Sequence, residues 1–142
     1  MSFDLKIEDS DLKIKGDGTI TTVTDTPKLR QDILKIILTS LGSNKFHPWY
    51  GCAVGENTIG KNLPQNLLEE EIKSSIEQSL MNLRTLQKAQ ISSQQVSLAE
   101  QIAEIGKIDV GRNPVDPRQI NIIVSILTKR LTKIEEVFTV IA

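Results

Sequence analysis

The stretch QINIIVSILTKRLTKIEEVFTVI, residues 119–141, sets the fold class. Ile120, Ile122, Val124 and Ile126 alternate down one face, and Ile123 with Leu127 make the other face partly apolar, the pattern of a strand central in its sheet. A charged turn around Lys129 to Lys133 interrupts the pattern. Alternation resumes from Ile134 to Ile141, with Val137, Thr139 and Ile141 on one side and Phe138 and Val140 on the other. Two such strands joined by a short turn make a β-hairpin. The second is expected at a sheet edge, where its outer amide and carbonyl groups can pair with a strand from another molecule.

Working back from the hairpin, Gly111 to Pro117 reads as a loop and Lys107 to Val110 as a strand. Ser97 followed three residues later by Glu100 has the capping-box spacing and predicts a short helix, with Leu98, Ile102 and Ile105 as its apolar side and Gly106 as its stop. A longer helix is predicted from Gln65 to Ala89, where Leu68, Ile72, Ile76, Leu80 and Leu83 form one apolar stripe. Pairing of Glu69 with Lys73 would add only about 0.2–0.5 kcal/mol, so the stripe decides how this helix docks. Before it, an irregular stretch runs from Gly42 to about Asn66. The first helix is predicted after Asp25 or Thr26 as cap and Pro27 at the first helical position, and runs to Gly42. Its apolar residues, Leu29 to Leu41, cover most of its circumference, which predicts contacts on several sides. Phe3 to Ile7, Leu12 to Ile14 and Ile20 to Val23 predict short strands in a ribbon. The expected fold is α+β: a small mixed or antiparallel sheet with a C-terminal β-hairpin, packed against two main helices and a short third one.

Composition narrows the function. With 142 residues, 39% of them hydrophobic, the chain fits one domain, 1–142, able to bury a core without staples. Lys plus Arg number 17 and Asp plus Glu 18, with no long run of one sign, so nucleic acid is not an expected partner. Neither is a membrane, since no apolar run approaches the ~20 residues needed to span one. The first fourteen residues lack the apolar core of a secretory leader. The single cysteine, Cys52, cannot make an internal disulfide.

The one Trp, the one Tyr and the one His fall together in Phe46, His47, Pro48, Trp49, Tyr50 and Gly51. Pro48 and Gly51 keep this segment out of regular structure, and large rigid rings either plug the protein's own core or bind another protein. His47 and Cys52 could in principle form a base and nucleophile, but no orienting third group or oxyanion site is visible. No His pair, Cys pair or glycine-rich phosphate loop points to a metal or cofactor, so none is expected. Glu69, Glu70, Glu71 and Glu77 lie largely opposite the apolar stripe of their helix, on its solvated side, and offer no protected carboxylate pair. The chain is therefore expected not to be an enzyme.

A capped helix, then Leu38-Thr39-Ser40-Leu41-Gly42, then Pro48-Trp49-Tyr50-Gly51, a long amphipathic helix and a C-terminal sheet: this order resembles the baseplate wedge and sheath-initiator proteins of contractile phage tails, also found in type VI secretion baseplates. The resemblance covers nearly the whole chain. It implies a structural subunit of the virion's tail baseplate, assembled in the host cytoplasm and repeated around the tail axis. Its implied partners are other wedge proteins, the tail sheath protein, which adds strands to the C-terminal sheet, and tail tube proteins. The implied partner-binding residues are Phe46, Pro48, Trp49, Tyr50 and Gly51 of the loop, Arg118, and Val137, Phe138, Thr139 and Val140 of the last strand. Many members carry a Glu-Pro-Arg triplet soon after the long helix; the corresponding region here is Leu83-Arg84-Thr85-Leu86-Gln87, and Asp116-Pro117-Arg118 has similar chemistry at a later place. Members usually have an acid where this chain has Ser43. Some are labelled lysozyme-like, which makes a tail-associated peptidoglycan hydrolase, with Glu70 or Glu77 as acid, the alternative function.

Overall fold

A computed structural model of the chain describes residues 2–9, 11–54, 64–116 and 118–141. The elements run β1 (Asp4–Leu5), β2 (Ile7–Glu8), β3 (Asp11–Leu12), β4 (Thr22–Val23), α1 (Asp25–Leu38), α2 (Gln65–Ile91), β5 (Ile102–Arg112), β6 (Gln119–Thr128) and β7 (Lys133–Ile141). The α+β reading holds, with two main helices and an antiparallel C-terminal sheet of three strands in the order β5-β6-β7.

The central strand is β6, as its two-sided apolar pattern requires. Ile120, Ile122, Val124 and Ile126 are buried under the helices. Opposite them on the adjoining strand Phe138 faces inward while Val137 and Thr139 face out, so the alternation is realised from Ile134 to Val140. All five stripe residues of α2, Leu68, Ile72, Ile76, Leu80 and Leu83, join the core, and α2 packs on both α1 and β5. Periodicity decided that docking. Glu69 does not pair with Lys73 but accepts a hydrogen bond from Gln65 Nε2 at 3.1 Å.

Three local expectations are corrected. The short helix at Ser97 to Ile105 does not form: 97–100 is a turn, and the chain is already extended at Ile102, where β5 begins. Ser97 does not cap anything there, because its hydroxyl donates instead to Asp25 Oδ1 at 2.6 Å. Nor does Gly106 stop a helix. It sits inside β5 at a register shift between Ile105 and Ile108, and a Cβ on it would lie 2.9 Å from the Ser125 carbonyl oxygen of β6. A glycine in a strand at such a close approach is a bulge residue.

The second and third corrections concern α1. It ends at Leu38, with Thr39 already extended and its hydroxyl donating to Lys35 O at 2.6 Å, so Gly42 lies beyond the helix. Leu29, Ile33, Ile36 and Ile37 are buried, whereas Leu38 and Leu41 are exposed, which makes the apolar face narrower than the sequence implied. At its start, neither Asp25 nor Thr26 caps: the N-cap is Thr24, without a side-chain hydrogen bond, and Pro27 is the third helical residue.

The N-terminal ribbon forms as expected, with β1 on β4 and β2 on β3. Gln31 of α1 anchors it: Gln31 Oε1 accepts from Ile7 N at 2.8 Å, and Nε2 donates to Asp4 Oδ2 and Leu5 O at 2.8 and 2.7 Å. Lys35 adds an ion pair to Asp4.

Candidate functional site

The aromatic loop is built by its polar residues. Asn44 Oδ1 accepts from the backbone amides of Phe46 and His47 at 3.0 and 3.3 Å, Tyr50 N donates to His47 O at 3.0 Å, and Gly42 N donates to Pro48 O at 3.1 Å. Such local bonds turn the chain tightly without regular structure. The return leg is sealed by Cys52 N donating to Thr39 O at 2.8 Å. Gly51 is buried at φ 125° beside the Thr39 carbonyl, a place and conformation open to glycine alone.

Packed this way, the loop divides its rings between core and solvent. Tyr50 packs on the core, Trp49 is 42% exposed, and Phe46 at 91% is almost wholly in water. Trp49 meets His47 and Tyr50 edge-on at centroid distances of 5.6 and 6.3 Å. With Asn82, Thr85, Leu86 and Ala89 of α2 it borders an open concavity of about 310 Å³. Of the two readings for this segment, own core and partner surface, Tyr50 and Gly51 follow the first and Phe46 and Trp49 leave the second open. His47 is exposed, Cys52 is buried, and no hydrogen bond joins them, so they make no base and nucleophile pair.

The last strand, β7, pairs with β6 on one side only and has no neighbour on the other among the described residues. Phe138 is buried and Val140 packs on the core, so any contact these two make with a neighbour is through the main chain. Val137, 65% exposed, stands across from Ile123, itself 39% exposed, and together they form an apolar spot on the outer sheet face. Arg118 is exposed in a turn where its amide donates to Asp116 Oδ1 at 3.0 Å; Pro117 lies outside the described residues. Residues 55–63 of the long irregular stretch lie outside them too. Leu83 to Gln87 falls within α2, not after it.

Among carboxylates, Glu70, Glu71 and Glu77 are exposed on α2. Glu70 and Glu71, with Leu67, Ser74 and Ser75, border a shallow depression of about 390 Å³; Glu77 does not. Glu100 is a different case, missed in the sequence because its spacing from Ser97 mimicked a cap. It is only 1% exposed, and its carboxylate oxygens make no well-formed hydrogen bond among the described residues, although the Asp25 backbone and the Ser2 side chain lie near enough to favour its charge weakly. Burial pushes its carboxyl above the ordinary value of 4.5, against the pull of the nearby Lys28 charge. Its enclosure keeps it from touching a large substrate. No group of three His, Cys, Asp or Glu suited to a metal ion occurs among the described residues, and none of their helices is long and apolar enough to cross a membrane.

No protein-family model matches the chain, and no curated protein sequence matches it either. Among solved structures, a "putative tail lysozyme" from Geobacter sulfurreducens superposes with a TM-score of 0.59 at 13% identity, over 80% of this chain and 87% of that one. The likeness is one of fold, and it extends over most of both molecules. It corrects one expectation. The exclusion of an enzyme does not stand, because the same fold belongs to a protein described as a lysozyme.

Proposed function

We propose that the chain is a tail-associated protein of a phage or phage-derived particle, acting on peptidoglycan as a lysozyme-like hydrolase. The observation that supports this is the fold shared with the Geobacter tail protein across four-fifths of the chain. Glycoside cleavage needs a carboxyl that can protonate the leaving oxygen and a second group to handle water or the sugar cation. Glu70 is the candidate acid, since it borders the depression beside Glu71, Ser74 and Ser75, where a glycan strand can lie across α2. The test is release of soluble muropeptides from purified cell walls by the isolated protein. Turnover that Glu70→Gln abolishes and Glu77→Gln spares supports this reading; no release removes it, and release indifferent to Glu70 removes Glu70 as its acid.

A second reading is favoured by β7, whose outer border pairs with no strand among the described residues. In it the chain is a baseplate subunit, present in several copies around the tail axis, that joins wedge proteins and meets tube proteins while β7 receives a strand of the first sheath subunit. Main-chain pairing is indifferent to most side chains and strong in aggregate, which suits a fixed template for a repeating partner. Removing 136–142 from baseplates and counting those that start a sheath tests it. Full sheath on truncated baseplates contradicts this reading and leaves the first untouched.

A further inference from the structure

Three cations meet where the end of α2 faces the sheet. Arg84 and Lys88, one turn apart on α2, and Lys129, in the turn from β6 to β7, border a small cleft that contains no carboxylate. Lys28, Arg30, Lys35, Lys107 and Lys133 all have acidic partners; Arg84, Lys88 and Lys129 have none among the described residues. Arg84 Nε is buried with no hydrogen-bond partner there.

Gln87, on the same helix, does not supply one, and Gln101 reaches Val96 O with its amide nitrogen at 3.1 Å without bonding Arg84. Gln87 reaches Glu100 O with its amide nitrogen at 2.7 Å and accepts from Ile102 N with its oxygen at 2.9 Å, so both ends of that side chain are committed to the main chain. The same bonds fix α2 to the start of β5. Lys129 N donates to Gln101 O at 3.0 Å, which holds the turn against the same wall. The three charges therefore stand on firmly placed backbone, and an enclosed guanidinium edge is left unpaired at a cost in free energy.

We infer that this cleft is a docking site for an acidic polypeptide segment of another protein. A carboxylate oxygen is a charged acceptor for an arginine Nε–H, the donor that is unpartnered here. Lys88 and Lys129 then neutralise carboxylates on either side. The cleft volume, about 10 Å³, has room for roughly one water-sized atom, which suits a carboxylate oxygen and excludes a ring or base. Nucleic acid is the weaker match, because its phosphates need an extended positive track and the chain as a whole carries a net charge of −1.

The probe is a fluorescein-labelled hexaglutamate peptide, titrated with the full chain by fluorescence anisotropy at low and moderate salt. Saturable, salt-weakened binding is expected, reduced about tenfold by Arg84→Gln and by Lys129→Gln. Arg112→Gln, at the opposite end of β5, should change nothing. Lys129 lies in an exposed turn, so its variant reports even if Arg84→Gln fails to fold. Absence of saturable binding, an equal loss in Arg112→Gln, or tighter binding of a thymidine oligonucleotide overturns the inference.

Discussion

Ser79 Oγ donates a buried hydrogen bond of 2.8 Å to the carbonyl of Gly51, fastening the aromatic loop to the middle of α2. The same hydroxyl lies 2.9 Å from Ser75 O, the carbonyl one turn back on α2. Its single proton is thus held between helix and loop. Ser79 is 2% exposed, so water does not replace the bond if the hydroxyl is removed.

Ser79→Ala should therefore cost about 1–3 kcal/mol, the penalty of leaving the Gly51 carbonyl buried and unpaired. Urea unfolding of the purified protein measures it. A neutral result would mean that the loop is not held to α2 by this bond.

Gly51→Ala should cost more than Ser79→Ala. Its φ of 125° is strained for any L side chain, and the new Cβ would lie 2.7 Å from Thr39 O and 2.9 Å from Ser40 O, both rigid main chain. Strain of this kind costs on the order of 1–3 kcal/mol before the clash is counted. The same urea titration ranks the two variants, and the reverse order would contradict the geometry.

Trp49→Ala is expected to be mild. A core aromatic cut to alanine costs about 3–5 kcal/mol, but with 42% of Trp49 in solvent the loss should be nearer ~1 kcal/mol. Differential scanning calorimetry of the isolated chain checks this. Mild destabilisation together with lost incorporation into tail particles would assign the ring to an interface.

How much was legible follows from what each signal depends on. The stripe of α2 and the alternation in β6 and β7 depend only on one face being buried, so the sequence alone shows both. Local signals failed where a distant residue took over. Ser97 and Glu100 have capping-box spacing, yet Ser97 bonds to Asp25, 72 positions away in sequence, and the chain continues as β5. Gly106 resembled a helix stop because nothing local shows that Ser125 of β6 would crowd a side chain there. In the aromatic loop, the sequence could show that rings were concentrated but not that Tyr50 turns inward while Phe46 turns out. The cleft at Arg84, Lys88 and Lys129 joins α2 to the β6–β7 turn, so no local pattern could have shown it.

Asp4 makes stability depend on acid in the usual direction. Burial works against its charge, but hydrogen bonds from Lys35 and Gln31 and the Lys35 charge prevail and hold its carboxyl below the ordinary 3.8. A carboxyl lowered in the folded state contributes stability above the unfolded value and loses it as pH falls through the folded one. Asp4→Asn should then be less stable than the parent at neutral pH, with the deficit shrinking below pH 3.8. Urea midpoints compared across pH test the trend.

Glu100 predicts the opposite trend. Its carboxyl is raised by burial, so the folded state holds the proton more tightly than the unfolded one, and stability falls as pH climbs from 4.5 through the raised value. Glu100→Gln keeps the shape and leaves no titrating carboxyl at this position. The variant should be more stable than the parent near neutrality, and its advantage should disappear below pH 4.5. The difference in urea midpoints between variant and parent, followed from pH 3 to pH 8, isolates this carboxyl because Asp4 and every other group titrates in both proteins. An advantage that grows on acidification would mean that Glu100 is ionised and well solvated or paired when folded, and its enclosure between the 97–100 turn and α1 would have to be redrawn.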